Sequence, residues 1–233
     1  MMIKLDRRLT RRLTLHLFFA TLFLLFALNV ARADELAVWN FNDSDLNVDH
    51  GSGTLSHNLN AVNVLFAAGS ATNARLGDLA GTALSLQGGT SNANNGRNIT
   101  INVSTVGFAD IVVTFATQGT STGFTSNQFQ YSLDGTNFID FGTPYVPATT
   151  FGAIPIVFTL SSIAGLNNNA NAAFRIVFNG ATSSTGNNRI DNLVVEGTGI
   201  TTVTVPEPAT MTLLISGLPI LYAAKRKRRV AAK

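Results

Sequence analysis

The 233-residue chain contains no cysteine, which excludes disulfides, thiol nucleophiles and cysteine-based metal sites. Histidine is nearly absent: His16 lies in an apolar N-terminal stretch, leaving only His50 and His57, in NDSDLNVDHGSGTLSHNLN. Neither a nucleophile-elbow motif nor an H-E-x-x-H pattern organises them, so they are expected to be surface-loop histidines and the protein is not expected to be an enzyme. From residue 34 to 205 there is no lysine, and Arg75, Arg97, Arg175 and Arg189 face eleven carboxylates, a balance of seven negative charges. Nucleic-acid binding needs a positive face to displace counterions from phosphate, and this middle region excludes it. The sequence pI of 9.6 belongs to the two ends.

Those ends carry the basic residues. The N-terminus runs KLDRRLTRRL, then LTLHLFFATLFLLFAL, then Ala31-Arg32-Ala33. A charged region, an apolar region and an A-x-A site describe a secretory signal peptide over 1–33, cut by signal peptidase to leave Asp34 first, with an uncleaved membrane anchor as the alternative. The C-terminus runs VPEPATMTLLISGLPILYAAKRKRRVAAK. Its apolar run 209–224 would span about 24 Å as a helix, short for a bilayer of about 30 Å but workable with snorkelling basic flanks. The cluster Lys225, Arg226, Lys227, Arg228 and Arg229 would stay cytoplasmic, placing the body across the membrane.

Val205, Pro206, Glu207 and Pro208, then a short apolar helix, then an arginine-rich end, resemble the PEP-CTERM sorting signal over residues 205–233. The resemblance implies that the membrane-embedded protease exosortase recognises Pro206, Glu207 and Pro208, cuts nearby, and releases the body to the cell surface or an exopolysaccharide matrix. Two prolines keep the recognition segment extended and out of the helix, as strand-wise binding by a protease requires.

The middle, 34–204, is expected to be all-β, an antiparallel jelly-roll-like β-sandwich flanked by the N-terminal signal helix and the C-terminal transmembrane helix. Apolar residues alternate in ITINV, IVVTF, QFQYSL (Phe129, Tyr131, Leu133), FRIVF and IDNLVV, and no segment holds a helical period for three turns. Asp134-Gly135 predicts a two-residue hairpin turn, the Asn/Gly-rich stretches SNANNGRN, GLNNNANA and ATSSTGNN predict loops, and 61–86 admits a short helix. The sixteen phenylalanines supply the core. The strings YSLDGTNF and FRIVFNGATSSTGNNRIDNLVV loosely resemble secreted bacterial carbohydrate-binding-like jelly-roll modules, which supports the fold.

Four candidate features remain. Asp43, Asp45 and Asp49 alternate like calcium ligands, but Val48 and Thr54 stand where an EF-hand needs Gly and Glu. A looser structural calcium site joining them to Asp191 is the alternative to a solvated acidic loop. Asp134 and Asp140 form a carboxylate pair that serves turn and solubility more readily than glycoside cleavage. The lone Trp39, with Tyr131 and Tyr145, suits either a core or a sugar-stacking platform. The function read from these features is an exported non-enzymatic surface or matrix protein, with a carbohydrate-binding module as the alternative and a secreted polysaccharide hydrolase behind it.

Overall fold

The computed structural model describes residues 33–75 and 77–200. The signal segment before Ala33, the sorting triplet, the apolar run 209–224 and the basic tail lie outside the described residues.

Among the described residues twelve strands follow one another: β1 (Ala33–Trp39), β2 (His50–Gly51), β3 (Thr54–His57), β4 (Val64–Ala68), β5 (Thr82–Gln87), β6 (Arg97–Asn102), β7 (Phe108–Gly119), β8 (Ser126–Ser132), β9 (Ile139–Asp140), β10 (Ile156–Thr159), β11 (Ala173–Asn179) and β12 (Asn187–Gly199). They form two antiparallel sheets. One has seven strands, in the order β10-β7-β12-β1-β2, with β5 also on β12 and β4 on β5; the other runs β3-β6-β11-β8-β9. From β5 onward the chain passes between the sheets in jelly-roll fashion, so all-β sandwich is the architecture.

Period-two patterning drives this arrangement. Ile99 and Ile101 in β6, Ile111, Val113 and Phe115 in β7, Phe129 in β8, and Phe174, Ile176 and Phe178 in β11 are all buried between the sheets. Phe129 is the hub, stacked on Phe158 at 3.9 Å between ring centroids and facing Phe174 at 6.2 Å. Burying such rings contributes about 2–3 kcal/mol each in transfer alone. Among its described residues the segment 61–86 holds no α-helix: a 3-10 turn, Ala61–Asn63, leads into β4, whose pairing with β5 satisfies its backbone.

Strand β12 organises the larger sheet. Its residues 187–190 pair with β5, whereas those from Leu193 pair with β1. On its other side lies β7, with a register slip between Asp191 and Val194. Asp191 and Asn192 therefore stand in the fork where β5 and β1 part, and Asn192 takes a left-handed φ of 48° that asparagine tolerates. Ala33 and Thr198 are register partners, so the first and last strands of the body end side by side.

Candidate functional site

The two outer faces of the sandwich differ. Two connections cover that of the seven-stranded sheet. From the 69–81 loop, Asn73 Nδ2 donates to Thr114 Oγ1 (2.9 Å) and to the Asn192 carbonyl (2.7 Å). Arg75 lies between Glu35 (3.1 Å) and Glu196 (3.4 Å), which face each other across β1 and β12. From the 143–155 loop, the Thr149 carbonyl accepts from Gln118 (2.8 Å), and the Gly152 carbonyl ties the two connections together by accepting from Thr72 Oγ1 (2.8 Å).

The five-stranded sheet lacks such a pair of tied loops among the described residues, although Ser132 and Ala173 on its outward parity are fully buried and Phe138 lies against Arg175; the other outward positions are polar apart from Val177. The register sets Ser56, Thr100, Arg175, Gln130 and Asp140 in one row across all five strands. Beside it run Thr54, Asn102, Ala173 and Ser132 on one flank and Asn98, Val177 and Gln128 on the other. Arg175 is the centre: its guanidinium carbon sits 3.4 Å from the centroid of the Phe138 ring, and its Nε donates to Thr100 Oγ1 at 3.3 Å. Burial lowers the pKa of Arg175, yet a guanidinium stays charged at any physiological pH. Gln130 Nε2 donates to Asp140 Oδ1 at 2.8 Å.

At one end the face runs into an open depression of about 380 Å³, lined by Thr54, Asn102, Ser104, Asp134 and Asn171 among others. Asp134 is its structural anchor. Its Oδ1 accepts from the backbone N–H groups of Thr136 (2.9 Å) and Asn137 (2.7 Å) and from Ser132 Oγ (2.9 Å), while Oδ2 accepts from Asn137 Nδ2 (2.6 Å). The hydrogen bonds led by Asn137 hold its carboxyl well below the usual carboxylate range. The hairpin is thus no two-residue turn: Tyr131 pairs with Ile139, and residues 133–138 form a loop wound around the Asp134 carboxylate. Asp134 and Asp140 are each engaged in this local architecture.

The other sequence candidates fall elsewhere. Trp39 is fully buried, its indole N–H donating to the Leu46 carbonyl (3.2 Å), and so belongs to the core. Tyr145 packs its ring on Phe115 and Phe158, and burial pushes its phenol pKa up. Tyr131 sits edge-on to Phe141 at 6.2 Å. None of the three offers the open face a stacking platform. His50 approaches Asp78 at 3.8 Å, and His57, expected in a surface loop, lies in β3 with its Nδ1 buried and unpartnered.

The structure does not gather Asp43, Asp45, Asp49 and Asp191 into one group; among the described residues no three His, Cys, Asp or Glu side chains meet in a cation-binding cluster. Asp45 accepts from the Asn47 N–H (2.7 Å) and Asp49 from the Asn40 N–H (2.6 Å). Burial raises the pKa of Asp49, helped by Asp43 and Asp45. Asp191 is fully buried, accepting from the N–H groups of Ser70 (2.6 Å) and Asn192 (2.9 Å), and burial outweighs both bonds to push its carboxyl up to about 7.

Sequence reading passes over Arg175 and Phe138. The signal for Arg175 is nonetheless present: in FRIVF it falls on the opposite parity to Phe174 and Ile176.

No protein-family model and no curated protein matches the chain. Similar solved structures include the CBM22-1 xylan-binding domain of Xyn10C from Paenibacillus barcinonensis (9% identity, 74% of this chain and 99% of that one, TM-score 0.44). Two more are a carbohydrate-binding module with specific mannan recognition, TmCBM27 (12%, 72% and 99%, 0.41), and TmCBM61 in complex with beta-1,4-galactotriose (11%, 67% and 92%, 0.38).

Proposed function

We propose that the chain is an exported, non-catalytic β-sandwich protein of the cell surface or extracellular matrix that binds polysaccharide on the outer face of its five-stranded sheet. The observation that carries this reading is the contrast between the faces: one is closed by two tied loops, while the other lacks them and carries amides, hydroxyls and one guanidinium, with Thr54, Ser56, Asn102 and Asp140 exposed and Thr100, Gln130 and Arg175 half-buried. Such a surface offers donors and acceptors in a fixed register, which is what the hydroxyls of a sugar chain require, and it exposes too little apolar area for an oily ligand. A non-catalytic role is supported by the engagement of the carboxylates in turns and by histidines that meet no hydroxyl nucleophile among the described residues. The side-by-side ends of β1 and β12 suit a body held at a membrane by a leader at one terminus and a sorting signal at the other. Exosortase then frees it by cutting near Val205-Pro206-Glu207-Pro208.

Two measurements test this. Terminal-peptide mass spectrometry of surface, membrane and medium fractions should find the body beginning at Asp34 and ending near Pro206 to Pro208; a surface form retaining Lys233 overturns the sorting step. Affinity electrophoresis of the full chain in detergent, over gels cast with plant and bacterial polysaccharides, should show retardation that Asn102→Ala with Gln130→Ala abolishes. An unretarded protein on every gel overturns the binding role.

A further inference from the structure

Taking that face as the glycan site, we propose that Arg175 selects its ligand: an acidic heteropolysaccharide presenting an isolated carboxylate, a uronate flanked by neutral sugars. The guanidinium stands in the middle of the central row, on the middle strand of the open sheet. Only its Nε is spent, on Thr100 Oγ1 at 3.3 Å. The ion pairs among the described residues are those of Arg75 with Glu35 and Glu196 and of His50 with Asp78, so no carboxylate of the body neutralises Arg175. The carboxylate of its own row, Asp140, stands two strands away, about 9.6 Å at the usual strand spacing, and accepts from Gln130 instead.

The terminal nitrogens therefore present a planar fork of free donors, the geometry that receives a carboxylate through two parallel hydrogen bonds. Phe138, 3.4 Å from the guanidinium carbon, restrains the plane of that fork and lowers the entropy lost when a ligand binds. Elsewhere in the body Arg75 is spent on carboxylates, its Nε on Glu35 at 3.1 Å and a terminal nitrogen on Glu196 at 3.4 Å. Arg175 has no such partner among the described residues.

Charge limits the ligand to isolated carboxylates. The body from 34 to 205 carries seven net negative charges, and Asp140 and Asp134 bracket Arg175 along the row and at the sheet's end. A polymer with a carboxylate on every sugar brings further anions within about a Debye length of these aspartates, about 8 Å at physiological salt, and is repelled. A uronate between neutral sugars meets the cation alone, while its neighbours' hydroxyls meet Gln130, Asn102, Thr100 and Ser56.

The test is affinity electrophoresis of the full chain in detergent against gellan, whose glucuronates are separated by neutral sugars, against carboxyl-reduced gellan, and against polygalacturonate. Gellan should bind at least about ten-fold more tightly than its reduced form, the worth of one charge-assisted contact, and polygalacturonate should bind more weakly than gellan. Arg175→Gln should erase the preference for gellan over the reduced form, Arg175→Lys should restore part of it, and Asp140→Asn should strengthen polygalacturonate binding. Equal retardation by gellan and reduced gellan, unchanged in Arg175→Gln, overturns the carboxylate proposal and leaves glycan binding standing. Absence of retardation here and on every neutral gel overturns both. Because the basic ends of the full chain also attract a polyanion, the deciding readout is the change in the gellan-to-reduced-gellan ratio between the unsubstituted and Arg175→Gln chains, which share those ends. An undiminished ratio in an Arg175→Gln protein whose urea unfolding is unchanged overturns the proposal, and Arg175→Lys supplies the second variant.

Discussion

Raising the pH from about 4.5 to 7.5 should destabilise the body, and Asp191 should be the cause. Its carboxylate is fully buried in the fork between β5 and β1, and burial moves its pKa from the ordinary 3.8 up to about 7. The native carboxyl holds its proton where the unfolded one has released it, so the native state binds more protons between these values. Stability is then complete below about pH 4 and is lost as the pH climbs through about 7, the opposite of an ordinary paired carboxylate. At about 1.36 kcal/mol per pH decade the loss between about pH 4.5 and 7.5 is about 3 kcal/mol, a large fraction of the 5–15 kcal/mol typical of a domain. Arg189, two residues earlier, does not offset it, because its guanidinium donates to the Ala68 carbonyl at 3.0 Å and forms no ion pair with Asp191.

Urea unfolding across this range can be followed by tryptophan fluorescence, since Trp39 is the sole tryptophan and lies in the core. Asp191→Asn keeps the size and one acceptor but cannot ionise, so its stability should be flatter with pH by about the amount computed above. Asp49, raised in the same sense, remains in both proteins and cancels from the difference, while Asp134 acts only below the window. Parallel curves for the two proteins would refute the reasoning. So would stabilisation of the native protein by millimolar calcium at pH 7.5, because a cation on Asp191 would hold it ionised.

Phe129→Ala should cost about 3–5 kcal/mol in the same urea assay, since it removes the ring that both Phe158 and Phe174 stack on. Arg75→Ala should cost about 1 kcal/mol at most, its partners being partly exposed, and should speed hydrogen exchange in 69–81; adding Glu35→Gln should recover part of the loss by removing one of two facing charges. Asp134→Ala should accelerate amide exchange at Thr136 and Asn137 while leaving β8 and β11 protected, because only the loop hangs on that carboxylate. Uniform acceleration across the sheet would contradict that assignment.

Alternation made the strands legible. Ile99, Ile111, Phe129 and Phe174 lie in the core where their parity puts them, and Trp39 is core rather than platform. Parity fails at Leu133, read with Phe129 and Tyr131 but 40% exposed, because β8 ends at Ser132 and the Asp134 loop turns the backbone away. The pair Asp134-Gly135 suggested a tight turn; what decides the loop is the reach of one carboxylate to two later N–H groups, which a dipeptide rule does not contain. The open face escaped sequence reading for a different reason. Polarity of one strand face is visible in a string, but whether a loop fifty residues away covers that face depends on contacts such as Thr72 to Gly152.

Those contacts also explain how a loop-rich body without cysteine holds together. Asparagine side chains take the place of missing main-chain partners. Asn95 donates through Nδ2 to the Ala181 carbonyl (3.0 Å) and accepts through Oδ1 from the Ala181 N–H (2.9 Å), reproducing with a side chain the two-bond exchange of an antiparallel pair. Asn42 does the same work between two residues, accepting from the Thr82 N–H and donating to the Leu79 carbonyl. Asn192 closes the β12 fork by donating to the carbonyls of Ser70 (2.8 Å) and Thr72 (2.9 Å). A disulfide acts largely by restricting the unfolded chain, whereas these amides act only in the folded state, each with a net contribution of about 1 kcal/mol. Asparagines that look like idle loop residues in the sequence, Asn95 within SNANNGRN among them, are therefore ties that fasten the loops of the closed face and the sheet ends.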